Sequence, residues 1–406
     1  MINFMIKRAN SLALIAIFLT VVLDAAGIGL VLPVMPDLFA GTGNAAGSGP
    51  MYGLFLSLYA LMQFIFAPFL GAISDRVGRK PVLTVSLLGG ALNYAVMAFL
   101  PPLWLLFIAR ALAGVTGANM SVATAYLADI TPPENRAARF GQLSAAMGVG
   151  FILGPAAGGM LRELGLNWPF AVAAILAAVN LLLCLFVLPE SRAVEAEEGG
   201  LDPFKGLREI GAFKGIAGLL MCVGLFALIG EVGGSIWVFY VQDRFAWHGV
   251  SVGLSLTLFG FFHALVQAFI VGPATKAFGE RVTLVLAMAC DAVCYTVLAL
   301  ISHGWMVFVL TPILCLGGIG PSVLAAVTSR RVGDDRQGQL QGVTASLASV
   351  AAIIGPTFFL SLYFATRAVM PGLVWIVGAV LYVPCLFVVL RRSAYSEGSA
   401  TQQRPG

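Results

Sequence analysis

Twelve long apolar runs, separated by short polar breaks, constrain this chain more than any other feature. Their approximate limits are residues 12–33, 51–71, 81–100, 103–127, 141–161, 168–189, 214–240, 250–272, 282–302, 304–328, 340–363 and 370–390. A bilayer core about 30 Å thick needs about 20 helical residues, and each run reaches that length. In lipid every backbone N–H and C=O must be satisfied internally, so runs of this kind form helices. Only 10% of the 406 residues are charged, against roughly a quarter in soluble domains, and mean hydropathy is +0.95. Such a composition cannot cover a water-facing surface. The 47 glycines and 20 prolines are scattered through the apolar runs, where small residues let membrane helices approach closely. The expectation is an all-α membrane protein with twelve spans.

The first run begins after Lys7 and Arg8 and offers small residues at Ala25–Ala26, as a secretory signal would. It exceeds a signal core of roughly 7–15 residues, and eleven further spans follow, so it reads as a retained helix. Pro33 and Pro36 predict a bend at its outer end. Basic residues set the orientation, because cytoplasmic loops carry the excess of Lys and Arg. With the N-terminus inside, only Arg162, Arg244 and Arg367 fall in outer loops and Arg110 lies within a span; the other 19 of the 23 are internal. Both termini are therefore expected in the cytoplasm of a bacterial-type inner membrane. The net charge of +4 reports topology and requires no nucleic-acid partner.

The chain offers little to an enzyme. Its six cysteines (Cys184, Cys222, Cys290, Cys294, Cys315 and Cys385) lie in or beside apolar runs and form no CxxC pair, which suits small buried hydrophobes. With three histidines, no HxxxH or HxxE pattern and no GxxxxGK[ST] loop, the sequence points to neither a metal centre, nor a catalytic cluster, nor an ATPase.

The polar interval Pro189–Lys214 divides six spans from six, and the two sides are related. "GAISDRVGRK" (71–80) aligns with "GPATKAFGER" (272–281) at an offset of 201, "ENRAARFGQ" with "DDRQGQLQG" at 200, and Gly154–Pro155 with Gly355–Pro356 at 201. Three matches in one order imply an internal repeat: an N-terminal bundle over 1–189, a cytoplasmic linker over 190–213 and a C-terminal bundle over 214–406. Repeated carriers of this kind hold their site near the midplane between two six-helix bundles.

"GAISDRVGRKPV" resembles the second-to-third helix signature of the major facilitator superfamily. "RALAGVTGA" from Arg110 is similar to its fourth-helix signature, and "GVGFILGPAAGG" (148–159) to the fifth-helix Gly-Pro signature of drug/proton antiporters. "LDAAGIGLVLPVMP", "LYALMQFIFAPFLGAISDR", "LADIT", "FGFFHALVQAF" and "RQGQLQG" extend the likeness, over nearly the whole chain, to the tetracycline/proton antiporters. The resemblance implies two bundles related by a pseudo-two-fold axis and export of amphipathic drugs in exchange for protons by alternating access. Tetracycline comes first among the substrates, with Mg2+ travelling as its chelate; a proton gradient is the energy source, no cofactor is needed, and a monomer is the working unit. A different drug range is the alternative, and an importer of small metabolites a more distant one.

Five ionisable residues lie within spans: Asp24, Arg110, Glu231, His263 and Asp291. A charge at the bilayer centre costs roughly 2.5–3.5 kcal/mol by insertion scales, so these groups are expected in a cavity, handling protons and substrate. A static salt bridge is the alternative for Arg110, and a hydrogen-bonded polar role for His263. On the family analogy Gln63, Asn93, Trp237 and Gln267 line the substrate path, an interfacial anchor being the alternative for Trp237. Asn93 stands where these antiporters usually carry an aspartate, and Glu231 where they usually carry a glutamine. The family also implies a conformational latch of Asp75, Arg76, Gly78 and Arg79 with Asp129, and a packing stripe of Gly150, Gly154, Pro155, Gly158 and Gly159. In the second-half copy Lys276 and Glu280 replace Asp75 and Arg79, which argues for an asymmetric latch.

Overall fold

A computed structural model describes residues 2–40, 48–191, 202, 204–333 and 336–391. The acidic run Glu195–Glu198, the pair Asp334–Asp335 and the tail from Arg392 lie outside the described residues. Among the described residues every regular element is helical, and twelve helices are long and apolar enough to cross a membrane. They are α1 (Leu12–Val31), α2 (Gly49–Val77), α3 (Arg79–Ala98), α4 (Leu103–Ile130), α5 (Ala138–Arg162), α6 (Asn167–Phe186), α7 (Lys205–Phe245), α8 (Gly249–Phe269), α9 (Val271–Leu300), α10 (Trp305–Ser329), α11 (Gln337–Thr366) and α12 (Leu373–Leu390).

Several helices are interrupted, and proline does not decide where. Pro155 and Pro356 sit inside continuous helices in α5 and α11. By contrast α4 breaks over Thr116–Ala118, α10 at Gly318 and α12 at Leu381. Near Pro33 the chain does more than bend: α1 ends at Val31, a turn covers 32–34, and a short helix Met35–Ala40 follows. Pro33 has no N–H to continue the ladder, and the turn closes through Val34 N–H to Val31 O.

The chain falls into two compact units: Met1–Pro203 with Trp247–Phe261, and Phe204–Ala246 with Phe262–Gly406. In the first, α1 packs along α5 and α6, α3 along α6, and α2 along α4. Ile17, Leu83, Leu87, Tyr126, Leu127, Leu143 and Cys184 form its buried core. In the second, α7 packs along α11, and α9 against α10 and α12. There Trp375, 1% exposed, gathers Trp237, Tyr240 and Tyr295 edge-on around it at centroid distances of 5.3 to 6.0 Å.

The glycine stripe of α5 explains the tight α1–α5 seam. A Cβ at Gly150 would lie 2.6 Å from Ala25 Cβ, one at Gly154 2.7 Å from Gly29 Cα, and one at Gly158 would overlap the Leu30 carbonyl. Small residues three to four apart bring two backbones into contact in this way. Gly159 and Pro155 face Gly249 and Gly253 of α8, and Thr257 donates to Ile152 O at 3.0 Å. Gly355 carries the corresponding α7–α11 contact in the second unit, where a Cβ would meet Glu231 Cβ at 2.6 Å.

Candidate functional site

Several of the intramembrane polar groups sit beside helix breaks. Asn119 opens the second half of α4, and its Nδ2 donates to Asp24 Oδ1 at 2.7 Å. Arg110, on the first half of α4, lies over two rings: its guanidinium carbon is 4.3 Å from the Tyr59 centroid and 4.9 Å from that of Phe55. Among the described residues it forms no ion pair, and its buried Nε has no hydrogen-bond partner. A cation shielded from water is stabilised by such ring faces. The static salt bridge allowed by the sequence is thus replaced by an aromatic clamp. Tyr59 and Tyr94 stand within electrostatic reach of both Arg110 and Asp24.

In the second unit the break in α10 is lined by consecutive glycines. The Asp291 carboxylate rests on Gly317, where a Cβ would overlap its Oδ1, and the His263 ring rests on Gly318, where a Cβ would lie 2.9 Å from Nδ1 and Cε1. Asp291 is 9% exposed, and the Tyr382 hydroxyl donates to its Oδ2 at 2.6 Å. Glu231 is half-buried on the α7–α11 seam. Among the described residues its carboxylate has no hydrogen-bond or ion-pair partner.

The expected substrate-lining residues divide by role. Gln63 Nε2 donates to Gly117 O and Gln267 Nε2 to Gly318 O, each at 2.9 Å. Gly117 and Gly318 are 201 residues apart, so each unit ties a glutamine amide to the exposed carbonyl of a broken helix. Ser322 donates in turn to Gln267 Oε1 at 3.0 Å. Asn93 is 3% exposed, and among the described residues its Oδ1 has no hydrogen-bond partner. Trp237 packs edge-on against Trp375. An open crevice of about 220 Å³ lies among α7, α10 and α11, walled by Phe226, Pro321, Leu324, Thr328, Gln341 and Thr344.

At the α2–α3 reversal the latch residues converge on Arg79, itself only 7% exposed. Its guanidinium reaches Asp75 Oδ1 at 2.6 Å, Asp129 Oδ2 at 3.0 Å and Ser74 Oγ at 2.6 Å. Gly78 makes the turn at φ +103°, a conformation that disfavours any Cβ. Arg76 is exposed. Sequence reasoning missed Glu190, whose two carboxylate oxygens accept the N–H groups of Arg79 and Lys80 at 2.8 and 3.1 Å, an acidic cap on a helix N-terminus. It also missed Asn119, Tyr382, the Gly317–Gly318 break and Arg330. The repeat could have exposed one of these, since Arg330 lies 201 residues after Asp129. Its Nη1 pairs with Glu280 Oε1 at 2.7 Å.

Comparison with known proteins places this geometry. The family model described as Major Facilitator Superfamily matches residues 17–356. The tetracycline resistance protein of class C from Escherichia coli is 47% identical over 392 residues, covering 96% of this chain and 99% of the relative. The class G protein of Vibrio anguillarum is 44% identical over 390 residues, covering 95% and 99%. A nucleoside transporter, NupG, shares the fold with a TM-score of 0.78 at 13% identity, covering 94% of this chain and 100% of its own. Twelve spans, intramembrane acids on packed and broken helices, and near-full-length similarity lead to one assignment: the chain is a multi-pass membrane transporter of the Major Facilitator Superfamily and belongs within it to the tetracycline resistance proteins.

Proposed function

We propose that this protein exports tetracycline, carried as its divalent-cation chelate, in exchange for protons by alternating access. The observation that carries the reading is the 47% identity to a tetracycline resistance protein over 96% of the chain. The intramembrane acids supply the chemistry. Asp24 and Asp291 each accept one neutral hydrogen bond, and among the described residues neither has a cation within ion-pair distance. An acid held this way can trade a proton for a positively charged ligand, and competition for one negative charge makes the two exclusive. Each pH unit supplies about 1.4 kcal/mol, and each net charge moved about 2.3 kcal/mol per 100 mV. That drive exports a drug without ATP. In this reading both termini face the cytoplasm, Mg2+ leaves with the drug as cargo, the monomer is the working unit, and residues 1–189 and 214–406 act as two bundles joined by the 190–213 linker. His263, Gln63, Asn93, Trp237 and Gln267 contribute polar and flat surfaces to the substrate path.

Uptake of tetracycline with Mg2+ into inverted vesicles tests the proposal. Accumulation under an imposed pH gradient, abolished by collapsing it, is expected; uptake indifferent to the gradient overturns it. A second reading, export of a different drug, draws on the exchange of an acid at Asn93 for one at Glu231. If Glu231 has taken over charge work from the first half, Glu231→Gln lowers gradient-driven uptake at least tenfold, and adding Asn93→Asp restores part of it. Uptake by Glu231→Gln within twofold of the parent overturns that takeover.

A further inference from the structure

Asp291 is enclosed asymmetrically. Its Oδ1 faces the Gly317 backbone so closely that a Cβ there would overlap it. Its Oδ2 accepts from the Tyr382 hydroxyl at 2.6 Å. Tyr382 is 5% exposed and is itself held: its ring packs edge-on against Phe226 at 5.3 Å. Phe226 in turn fills the notch of Gly320, where a Cβ would lie 2.5 Å from its ring. The other titratable side chains facing Asp291 are Tyr295, Cys290 and Cys294 on its own helix and Cys315 on α10. Tyr295 and Cys290 turn to the Ile229 and Ile313 carbonyls instead, and among the described residues it is Tyr382 that bonds the carboxylate.

We propose that Tyr382 is the positioning residue for Asp291: its hydroxyl engages one carboxylate oxygen and holds the acid against the α10 break. The assignment rests on the reading of Asp291 as a proton-coupling group. A hydroxyl oxygen both donates and accepts. Tyr382 can therefore stay bonded to Asp291 whether or not the acid carries a proton, provided its own hydrogen turns away when Asp291 donates. Phenylalanine at this position keeps the ring and its contact with Phe226 and removes only that bond.

The test is carbodiimide labelling of Asp291 in the intact protein, read by mass spectrometry and paired with vesicle uptake. Loss of a hydrogen bond to a charged group changes an equilibrium by about tenfold or more. Tyr382→Phe is thus expected to label at Asp291 about tenfold faster than the parent, to lose about tenfold in maximal gradient-driven tetracycline uptake, and to keep its KM for the drug. Tyr363→Phe, a buried tyrosine bonded to Asp243 instead, is expected to leave Asp291 labelling unchanged. A labelling rate in Tyr382→Phe within twofold of the parent, or slower, overturns the positioning role. Asp291→Asn separates the two readings. If it still accumulates drug against a gradient, the proton-coupling reading fails; if it does not and Tyr382→Phe behaves as the parent, only the positioning role fails.

Discussion

The α2–α3 reversal and the reversal within α9 are two copies of one turn with opposite electrical design. Gly78 and Gly279 both adopt positive φ, +103° and +75°. Arg79 pairs with Asp129, and 201 residues later Glu280 pairs with Arg330: the same bridge with its signs exchanged. The third member does not follow. Asp75 joins Arg79, while Lys276, its counterpart, is exposed and not bonded to Glu280 among the described residues. The helix ends are inverted too. Glu190 caps N–H groups at the start of α3, whereas Arg281 donates to the Val389 and Leu390 carbonyls at the end of α12. Burial makes the difference count. Arg79 is almost enclosed, but the Arg330 side chain is 72% exposed. A bridge with exposed members contributes roughly 0–1 kcal/mol, whereas removing one partner of a buried one costs about 3–5 kcal/mol. A repeated turn therefore need not be a repeated lock.

Exchanging the charges separates the two turns by the largest expected effect. Glu280→Arg with Arg330→Asp should leave transport and melting temperature near the parent, since solvent screens each partner. The same exchange in the first unit, Arg79→Glu with Asp129→Arg, brings a new carboxylate beside Asp75 and Glu190. It is expected to destabilise by about 3 kcal/mol or more in thermal unfolding of the purified protein. Equal tolerance of the two exchanges would dissolve the asymmetry.

Single truncations have smaller effects in the same order. Arg79→Ala, which strands two carboxylates that stay partly exposed, is expected to cost about 1–3 kcal/mol and Arg330→Ala no more than about 1 kcal/mol, both measured as shifts in melting. At the turns, Gly78→Ala meets both an unfavourable φ and the Glu190 carboxylate, which its Cβ would overlap. Gly279→Ala meets open space and only the backbone penalty of roughly 1–2 kcal/mol. A larger loss at Gly279 than at Gly78 would show that Glu190 does not crowd the first turn. A small effect, about 1 kcal/mol, is expected from Glu190→Gln, which keeps one accepting oxygen, puts an amide donor in place of the other and loses the charge.

The latch was legible as a motif, yet one of its partners was not. Asp75, Gly78 and Arg79 stand within five residues of each other, so a local pattern carries them. Asp129 was named because it ends the fourth span. Glu190 is 111 residues from Arg79, and no local pattern links the end of α6 to the start of α3. The intramembrane acids divide in the same way. Asp24, Glu231 and Asp291 are conspicuous in apolar runs because a charge there is costly. What each one touches is set by the rotation and offset of packed helices, which hydropathy does not record. Tyr382, 91 residues from Asp291, looks like any other aromatic residue in a span.

By itself the sequence determined the twelve helices, the internal repeat, the membrane as solvent and the family, because lipid forces every backbone bond into its own segment and leaves length and hydropathy to do the rest. Tertiary structure alone decided that Arg110 is held by rings, that α4 and α10 break at Gly117 and Gly317–Gly318 to seat polar groups, and that one turn is locked while its copy is not. Those outcomes depend on which side chains meet across helices, where a few ångströms of offset separate a buried bridge from an exposed one.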